Sequence, residues 1–114
     1  MPDVWMNTQT SKPIRRIPID HATSGDNTLV AAIANTKIRV LACLLIAASA
    51  VVVRFESDAG GTALTGQMNV PGDGGFVLPF NPVGWFETAA GALLNLELSG
   101  AVSVDGVLVY QEID

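Results

Sequence analysis

Four of the chain's seven aromatic residues fall within eleven positions, in a segment that reads GGFVLPFNPVGWFETAAG over residues 74–91. They are Phe76, Phe80, Trp85 and Phe86. Rings that stack on sugars or bases usually have polar groups beside them that orient the ligand. Only Asn81, Glu87 and Thr88 are available here. We therefore interpret the segment as a rigid corner whose rings enter the core or a subunit contact, with a stacking platform as the alternative.

The local sequence of this segment predicts how it turns. Asn81-Pro82-Val83-Gly84 has Asn first, Pro second and Gly fourth, which is the pattern of a type I β-turn. Trp85 and Phe86 follow directly, and adjacent residues of an extended chain point to opposite sides. We expect one of the two rings to enter the core and the other to face a neighbour.

No set of residues predicts catalysis. His21 is the only histidine, in a predicted loop, and no nucleophile motif accompanies it. Glycoside hydrolysis needs two carboxylates, and Glu87, Glu97 and Asp105 are enough in number. Glu97, however, is expected on the outward face of its strand, where a solvated charge is ordinary. We predict that the protein is not an enzyme and has no catalytic residues.

Cofactor and metal sites are not predicted either. PGDGG at 71–75 lacks the Lys-Ser/Thr of a phosphate loop, and SDAGG has no calcium-loop pattern. Cys43 is the only cysteine, lies in an apolar run and can form neither an intrachain disulfide nor a structural zinc site. The expectation is a chain without cofactor or metal.

The composition indicates association with other protein chains. Charged residues make up 15% of the 114 residues, against about 25% in an average domain. A small domain with so few charges is expected to cover part of its surface with other chains. Six basic and three acidic residues give +3 through position 54, and eight acids with no base give −8 beyond it. This distribution argues against nucleic-acid binding, which needs a broad basic face.

Strands separated by turns predict an all-β fold. Val51, Val53 and Phe55 fall on one face of a predicted strand, with Val52, Arg54 and Glu56 on the other. In LLNLELSG at 93–100, Leu94, Leu96 and Leu98 alternate with Asn95 and Glu97 in the same way. The apolar run from 37 to 53 fits helix or strand; we favour strand, bent near 47–50. Residues 101–113 form a final strand or a hairpin. The stretch 40–53 is too short to span a membrane, and no export signal is expected.

The N-terminal part has a different character. Residues 1–27 are predicted to be an extended arm and docking segment, and residues 28–114 a single β-sandwich domain. In the arm, Trp5 is an aromatic that could anchor on a neighbour. Three basic residues could meet an acidic partner or could be plainly solvated. They are Lys12, Arg15 and Arg16.

Three segments carry a resemblance to a known group of proteins. The chain resembles small virion proteins of tailed bacteriophages over roughly residues 36–113. The resemblance is carried by KIRVLACLLIAASAVVVRFES with TALTG, by GGFVLPFNPVGWFETAAGALLNLELS, and by VDGVLVYQE. The resemblance implies a jelly-roll-like β-sandwich that forms a homotrimer and decorates the outer capsid surface. Its partners would be its own copies and the major capsid protein, with no nucleic acid and no membrane. Such a protein is made in the host cytoplasm and resides in the virion.

Within that resemblance, we expect four aromatic residues at the oligomer or partner interface: Phe80, Trp85, Phe86 and Tyr110. The capsid-docking arm would use Trp5, Lys12, Arg15 and Arg16. The function implied is a capsid decoration, or cement, protein that binds across neighbouring major capsid proteins and stabilises the head. The alternative is a tail- or fibre-associated module that contacts the host surface or binds glycan.

Overall fold

The computed structural model describes residues 12–114, which form ten strands in two antiparallel sheets. The strands are β1 Ile14–His21, β2 Gly25–Val30, β3 Lys37–Ala47, β4 Val51–Ser57, β5 Thr62–Ala63, β6 Met68–Val70, β7 Gly75–Leu78, β8 Phe86–Glu87, β9 Leu94–Leu98 and β10 Val104–Ile113. Sheet A has the order β1-β10-β3-β7, with β8 also paired to β3. Sheet B has the order β2-β9-β4-β5, with β6 also paired to β4. The predicted all-β sandwich is confirmed.

The core lies between the sheets and follows the predicted alternation. Leu94, Leu96 and Leu98 of β9 are buried, and so are Val53 and Phe55 of β4. Side chains of a strand alternate between its faces, so each of these strands gives every second residue to the core. Residues 104–113 form one strand, so the predicted choice between strand and hairpin is resolved as a strand.

The long apolar run from 37 to 53 is two strands in different sheets. β3 ends at Ala47 in sheet A and β4 begins at Val51 in sheet B, so the expected bend near 47–50 is the connection between the sheets. Within β3 the pairing with β10 shifts by one residue, and Leu41 is the extra residue. This β-bulge moves the buried positions from even to odd numbers, which obscured the alternation in the sequence.

The predicted boundary between arm and sandwich needs correction. β1 pairs with β10 from Ile14 to His21, and β2 pairs with β9 from Gly25. The boundary predicted between residues 27 and 28 therefore falls inside β2. Residues 14–27 belong largely to the two sheets, because each strand completes the backbone hydrogen bonds of a neighbour.

Candidate functional site

The aromatic corner begins with the turn that the sequence predicts. The Gly84 amide donates to the Asn81 carbonyl at 2.9 Å, and the Val83 amide donates to Asn81 Oδ1 at 3.0 Å. Gly84 has φ of +95°, and a Cβ at this position would lie 2.6 Å from Cγ of Arg39. The turn therefore packs tightly over the Arg39 side chain, and only glycine fits both its conformation and its space.

The corner is fixed to β3 at the bulge. The Asn81 amide donates to the Leu41 carbonyl at 2.9 Å, and the Trp85 amide donates to the Val40 carbonyl at 2.8 Å. On one side of this attachment β7 pairs with Cys43 to Ile46, and on the other β8 pairs with Arg39 and Val40. Residues 75–87 thus lie along the edge of β3, held by β7, by the Asn81 and Trp85 amides and by β8.

Trp85 and Phe86 point to opposite sides, as their adjacency predicts. Phe86 packs against the core, with its ring centroid 5.0 Å from that of Phe55. Trp85 is 44% exposed, and its indole Nε1 donates to the Pro79 carbonyl at 2.8 Å. The hydrogen bond holds the indole ring in place at the surface. Whether it faces another chain stays a prediction.

The four aromatics expected at an interface separate into two pairs. Phe80 and Trp85 are exposed, whereas Phe86 is half-buried against the core and Tyr110 is buried. Burial raises the pKa of the Tyr110 hydroxyl, and the nearby Glu112 carboxylate adds to this shift. Tyr110 and Phe86 therefore pack within the chain, and whether any of the four aromatics contacts another chain stays a prediction.

Exposed apolar side chains gather along one edge of sheet A. Within residues 12–114, six of the eight large hydrophobic side chains that are exposed lie on β3 or on the 77–85 segment beside it. We call this set the apolar edge: Leu44, Ile46, Val77, Phe80, Val83 and Trp85. Leu44 is directly opposite Val77 on one side and the half-buried Val107 on the other, so a row of aliphatic side chains crosses the outer face.

The basic residues of the predicted docking arm lie at the opposite edge of sheet A, on and beside β1. Lys12 Nζ pairs with Asp114 Oδ2 at 2.9 Å, and Arg15 Nε pairs with Glu112 Oε1 at 3.0 Å. Arg16 is exposed and has no ion pair with another residue of the described part. Trp5 lies outside the described residues. Of the three cations, Arg16 is the one without an ion pair inside the 12–114 range.

The carboxylates considered for catalysis do not form one site. Glu87 lies on β8, Glu97 on β9 and Asp105 on β10, and β9 belongs to the other sheet. Glu87 binds Arg39 Nη2 at 2.9 Å and Lys37 Nζ at 3.4 Å. Its charge is therefore compensated beside the aromatic corner, where a sugar ligand would need a free polar partner.

The single thiol is buried. Cys43 on β3 is 3% exposed, and this burial raises the pKa of its thiol to about 12. A thiol that stays protonated is a poor nucleophile and a poor metal ligand. Cys43 therefore contributes to packing as a small apolar side chain.

A polar cluster on the outer face of sheet B was not anticipated. Asp26, Glu97 and Arg54 are opposite one another on β2, β9 and β4, and Asn95 is opposite Glu56 in the next row. Arg54 Nη2 donates to Glu56 Oε2 at 2.6 Å and to Glu97 Oε1 at 2.9 Å. The hydrogen bond to Glu56 is the largest cause that raises the pKa of the Arg54 guanidinium.

Two members of this cluster are fully buried although they lie on the outward face of sheet B. Asn95 and Glu56 are both 0% exposed, although they lie on the side of the sheet away from the core. The sequence contains one sign of this cluster: Arg54 and Glu56 carry opposite charges and lie on the same face of β4. The register that brings Glu97 and Asp26 beside them is a property of the folded sheet.

Residues 12–114 contain no helix long and apolar enough to cross a bilayer. The chain matches no protein-family model, and no curated protein matches its sequence.

Proposed function

We propose that the chain is a virion structural protein of a tailed bacteriophage, a capsid decoration protein that forms a homotrimer. In this proposal the oligomer binds across neighbouring major capsid proteins on the outer surface of the head and stabilises the shell. The trimer and the capsid partner come from the resemblance of residues 36–113. The surface through which copies meet is assigned from the positions of exposed side chains.

The observation that carries the proposal is the apolar edge. Val77 is 63% exposed, Val83 69% and Phe80 56%, and Leu44 and Trp85 are exposed beside them. Burying an aliphatic or aromatic side chain contributes about 1.5–3 kcal/mol, so a contact over six such residues offers a large gross gain. Association costs remove much of that gain, and the many copies on a symmetric shell make a modest net affinity sufficient.

The connectivity of the strands supports the jelly-roll part of the proposal. β1 and β3 lie in sheet A, while β2 and β4 lie in sheet B, so the chain crosses between sheets at each of these steps. β7 returns to sheet A, β9 to sheet B and β10 to sheet A. A jelly roll likewise distributes eight strands over two packed sheets, so this order supports that part of the proposal.

The opposite edge of sheet A is the surface we assign to the shell. β1 presents Arg16, which is exposed and has no ion pair within residues 12–114, and the Lys12 and Arg15 ion pairs lie beside it. Both pairs are partly exposed, so an acidic shell protein could exchange them at little cost. In this proposal copies of the chain contact one another at the apolar edge, and the shell contacts β1. Both contacts are then made by sheet A.

Sedimentation velocity tests the self-association. Wild type at micromolar concentration is expected to sediment as a trimer. Val77→Glu places a charge within the contact and is expected to give monomers. Ile33→Glu is the matched control, because Ile33 is also an exposed aliphatic residue, at 41%, but lies in the connection between β2 and β3.

Two results would contradict this assignment. Wild type that stays monomeric at these concentrations would remove the basis for the proposal. If Ile33→Glu dissociates the oligomer as fully as Val77→Glu does, the contact lies elsewhere on the domain. Circular dichroism on each variant establishes that the sheets remain folded.

The second candidate is a tail- or fibre-associated module that binds glycan, which the exposed indole of Trp85 favours. Its ring is held by the Pro79 carbonyl and is 44% exposed, as a stacking surface requires. Saccharide binding that disappears in Trp85→Ala while the oligomer persists would favour this candidate. Loss of the oligomer without any saccharide binding would favour the decoration protein.

A further inference from the structure

β1 is an open edge of sheet A. Among residues 12–114 it pairs with β10 on one side and with no strand on the other. It is eight residues long, from Ile14 to His21. The backbone groups on the unpaired side of an edge strand can hydrogen-bond to an added strand. The pairing inside the sheet determines which groups these are.

The central strand β10 divides its backbone groups between its two neighbours. In an antiparallel sheet the N–H and C=O of one residue point to the same side, and successive residues alternate. The Ala48 amide donates to the Ser103 carbonyl at 2.9 Å, directly beyond the pair of Ala47 with Val104. Odd-numbered residues of β10 therefore bond to β3, and even-numbered residues bond to β1.

The same alternation fixes the direction of each backbone group of β1. Gly106 is opposite Ile19 and Leu108 is opposite Ile17, so the odd-numbered residues of β1 bond to β10. The even-numbered residues then direct their N–H and C=O groups away from the sheet. Pro18 is one of them, and a proline in an edge strand is expected to have its nitrogen on the open side. Two separate features therefore agree on which groups are open.

Three backbone amides of β1 point to the open side, those of Ile14, Arg16 and Asp20. No hydrogen bond within residues 12–114 uses them. Pro18 has no N–H, and its ring projects toward any strand added at that point. An added strand can therefore pair along residues 14–17, where Ile14 and Arg16 each offer one donor and one acceptor, and its pairing ends at Pro18.

The charge of this open half indicates what kind of strand it accepts. Residues 12–19 include three basic residues and no acidic one. Lys12 and Arg15 have partly exposed ion pairs with Asp114 and Glu112, and Arg16 has no ion pair within residues 12–114. Opposite charges on neighbouring strands stabilise their pairing, and like charges destabilise it. The edge therefore favours an acidic segment.

A second copy of β1 fits this edge poorly. Two antiparallel β1 strands centred on Arg15 or Arg16 would place like charges directly opposite each other. Centring the pair on Pro18 would set Arg16 opposite Asp20, but two proline rings would then meet with no donor between them. The edge is thus protected against pairing with its own copies and remains open to an acidic strand.

We propose that residues 14–17 bind an extended acidic segment of the shell protein as an added strand of sheet A. The identity of this partner rests on the proposed function, which assigns the β1 edge to the shell, whereas its chemistry follows from the edge itself. Backbone hydrogen bonds to Ile14 and Arg16 hold the segment, and a carboxylate beside Arg16 selects it. The added strand extends sheet A on the side away from the apolar edge.

Residue-resolved hydrogen exchange on the full chain tests this pairing with a defined probe. The probe is a short synthetic peptide in which Glu alternates with Val, and the comparison peptide has Lys in place of Glu. The amides of Ile14 and Arg16 are expected to exchange fast in the free chain. They should exchange about tenfold more slowly when the acidic peptide is present at about ten times its Kd. The amides of Ile17 and Ile19 bond to β10 and should be slow throughout.

Two other amides of edge strands serve as internal controls. The Asp20 amide lies beyond Pro18, and the Thr28 amide lies on β2, the edge strand of sheet B. Neither should respond to the acidic peptide, because Pro18 ends the pairing and β2 has no basic residue. The proposal would be overturned if millimolar acidic peptide left Ile14 and Arg16 unchanged. Equal slowing with the Lys peptide, or at Thr28, would overturn it as well.

Proline substitutions at two adjacent exposed arginines test the direction of the backbone groups. Arg16→Pro removes an N–H on the open side, so sheet A should keep its bonds to β10 while peptide binding is lost. Arg15→Pro removes a bond to β10 and should lower the Tm clearly more. Arg16→Ala removes the charge but keeps the N–H, and should weaken peptide binding less than Arg16→Pro does. Equal losses of Tm in the two proline variants would contradict the assignment of open groups.

Failure of this inference and failure of the proposed function give different results. Acidic peptide that slows exchange at Ile14 and Arg16 in a chain that stays monomeric supports the added strand and contradicts the proposed trimer. A trimer in which these two amides never respond to the acidic peptide overturns the added strand alone.

Discussion

At the scale of single residues, two adjacent aromatics of the corner have different environments. Phe86 packs against the core near Phe55, while Trp85 lies at the surface with its indole N–H bound to Pro79. The difference follows from the two faces of an extended strand. It separates a ring that stabilises the chain from a ring that is available to a partner.

Alanine substitution should separate these roles. Phe86→Ala removes a ring packed on the core and is expected to lower the free energy of unfolding by about 3 kcal/mol. Trp85→Ala is expected to change it far less in the isolated chain and to weaken self-association instead. Denaturant unfolding below and above the association midpoint measures both. If Trp85→Ala lowers the free energy of unfolding of the monomer as much as Phe86→Ala does, the two rings do not have separate roles.

The buried thiol of Cys43 makes stability depend on alkaline pH. Its pKa is raised from 9.0 to about 12, so the folded chain keeps a proton that the unfolded chain releases. This contribution is complete below pH 9.0 and is lost as the pH rises toward 12. Between these pH values we expect the free energy of unfolding of wild type to fall by up to about 1.4 kcal/mol per pH unit more than that of Cys43→Ala.

Denaturant unfolding of wild type and Cys43→Ala at several pH values measures this slope. Tyr110 titrates in both proteins and its effect cancels in the difference. Identical pH dependence of the two would show that the thiol is not protected. A thiol reagent should likewise react with Cys43 only after unfolding.

At the scale of elements, the corner is positioned by the β-bulge at Leu41. The bulge places the carbonyls of Val40 and Leu41 where the amides of Trp85 and Asn81 can reach them. Gly84 then closes the turn over Arg39. An irregularity in one strand thus sets where the exposed part of the next segment lies.

Gly84→Ala tests this arrangement. The new methyl group would meet the Arg39 side chain, and φ of +95° is unfavourable for alanine, so we expect a loss of about 1–3 kcal/mol in the free energy of unfolding. Gly66→Ala is the control, because a methyl group at Gly66 would have no atom within 4 Å and the φ of this residue is not positive. Its effect should lie within about 1 kcal/mol of zero. Equal effects at both positions would contradict the role given to Gly84.

Period-two patterns and turn residues made much of this architecture predictable. The alternation in β4 and β9 and the turn at 81–84 follow from local chemistry, and both are found in the structure. For β1 and β2 the local sequence predicts an arm and a loop instead, because Pro18 and the polar residues 23–28 are typical of unpaired chain. Their pairing with β10 and β9 is set by tertiary contacts that no local pattern records.

The surface sites were harder to predict for a related reason. Asp26, Glu56 and Glu97 are far apart in the chain, and only the register of three strands brings them together. Leu44 and Val77 likewise meet through the pairing of β3 with β7. Composition indicated that an apolar surface should exist, but its location depends on this pairing.

At the scale of the whole molecule, the two sheets have outer faces of different character. Sheet A presents the apolar edge on one side and basic residues of β1 on the other, while sheet B presents the polar cluster. We infer that copies of the chain meet along the apolar edge and that the finished oligomer binds a larger shell. Few charges and an exposed apolar edge suit a chain that resides in an assembly.

An electron cryo-microscopy map of the intact phage particle tests this account most directly. The account predicts density for the chain on the outer surface of the head, in groups of three copies that meet through Leu44, Val77 and Trp85. It also predicts that β1 faces the major capsid proteins. Isolated copies with an uncovered apolar edge, or density for the chain on the tail alone, would contradict it.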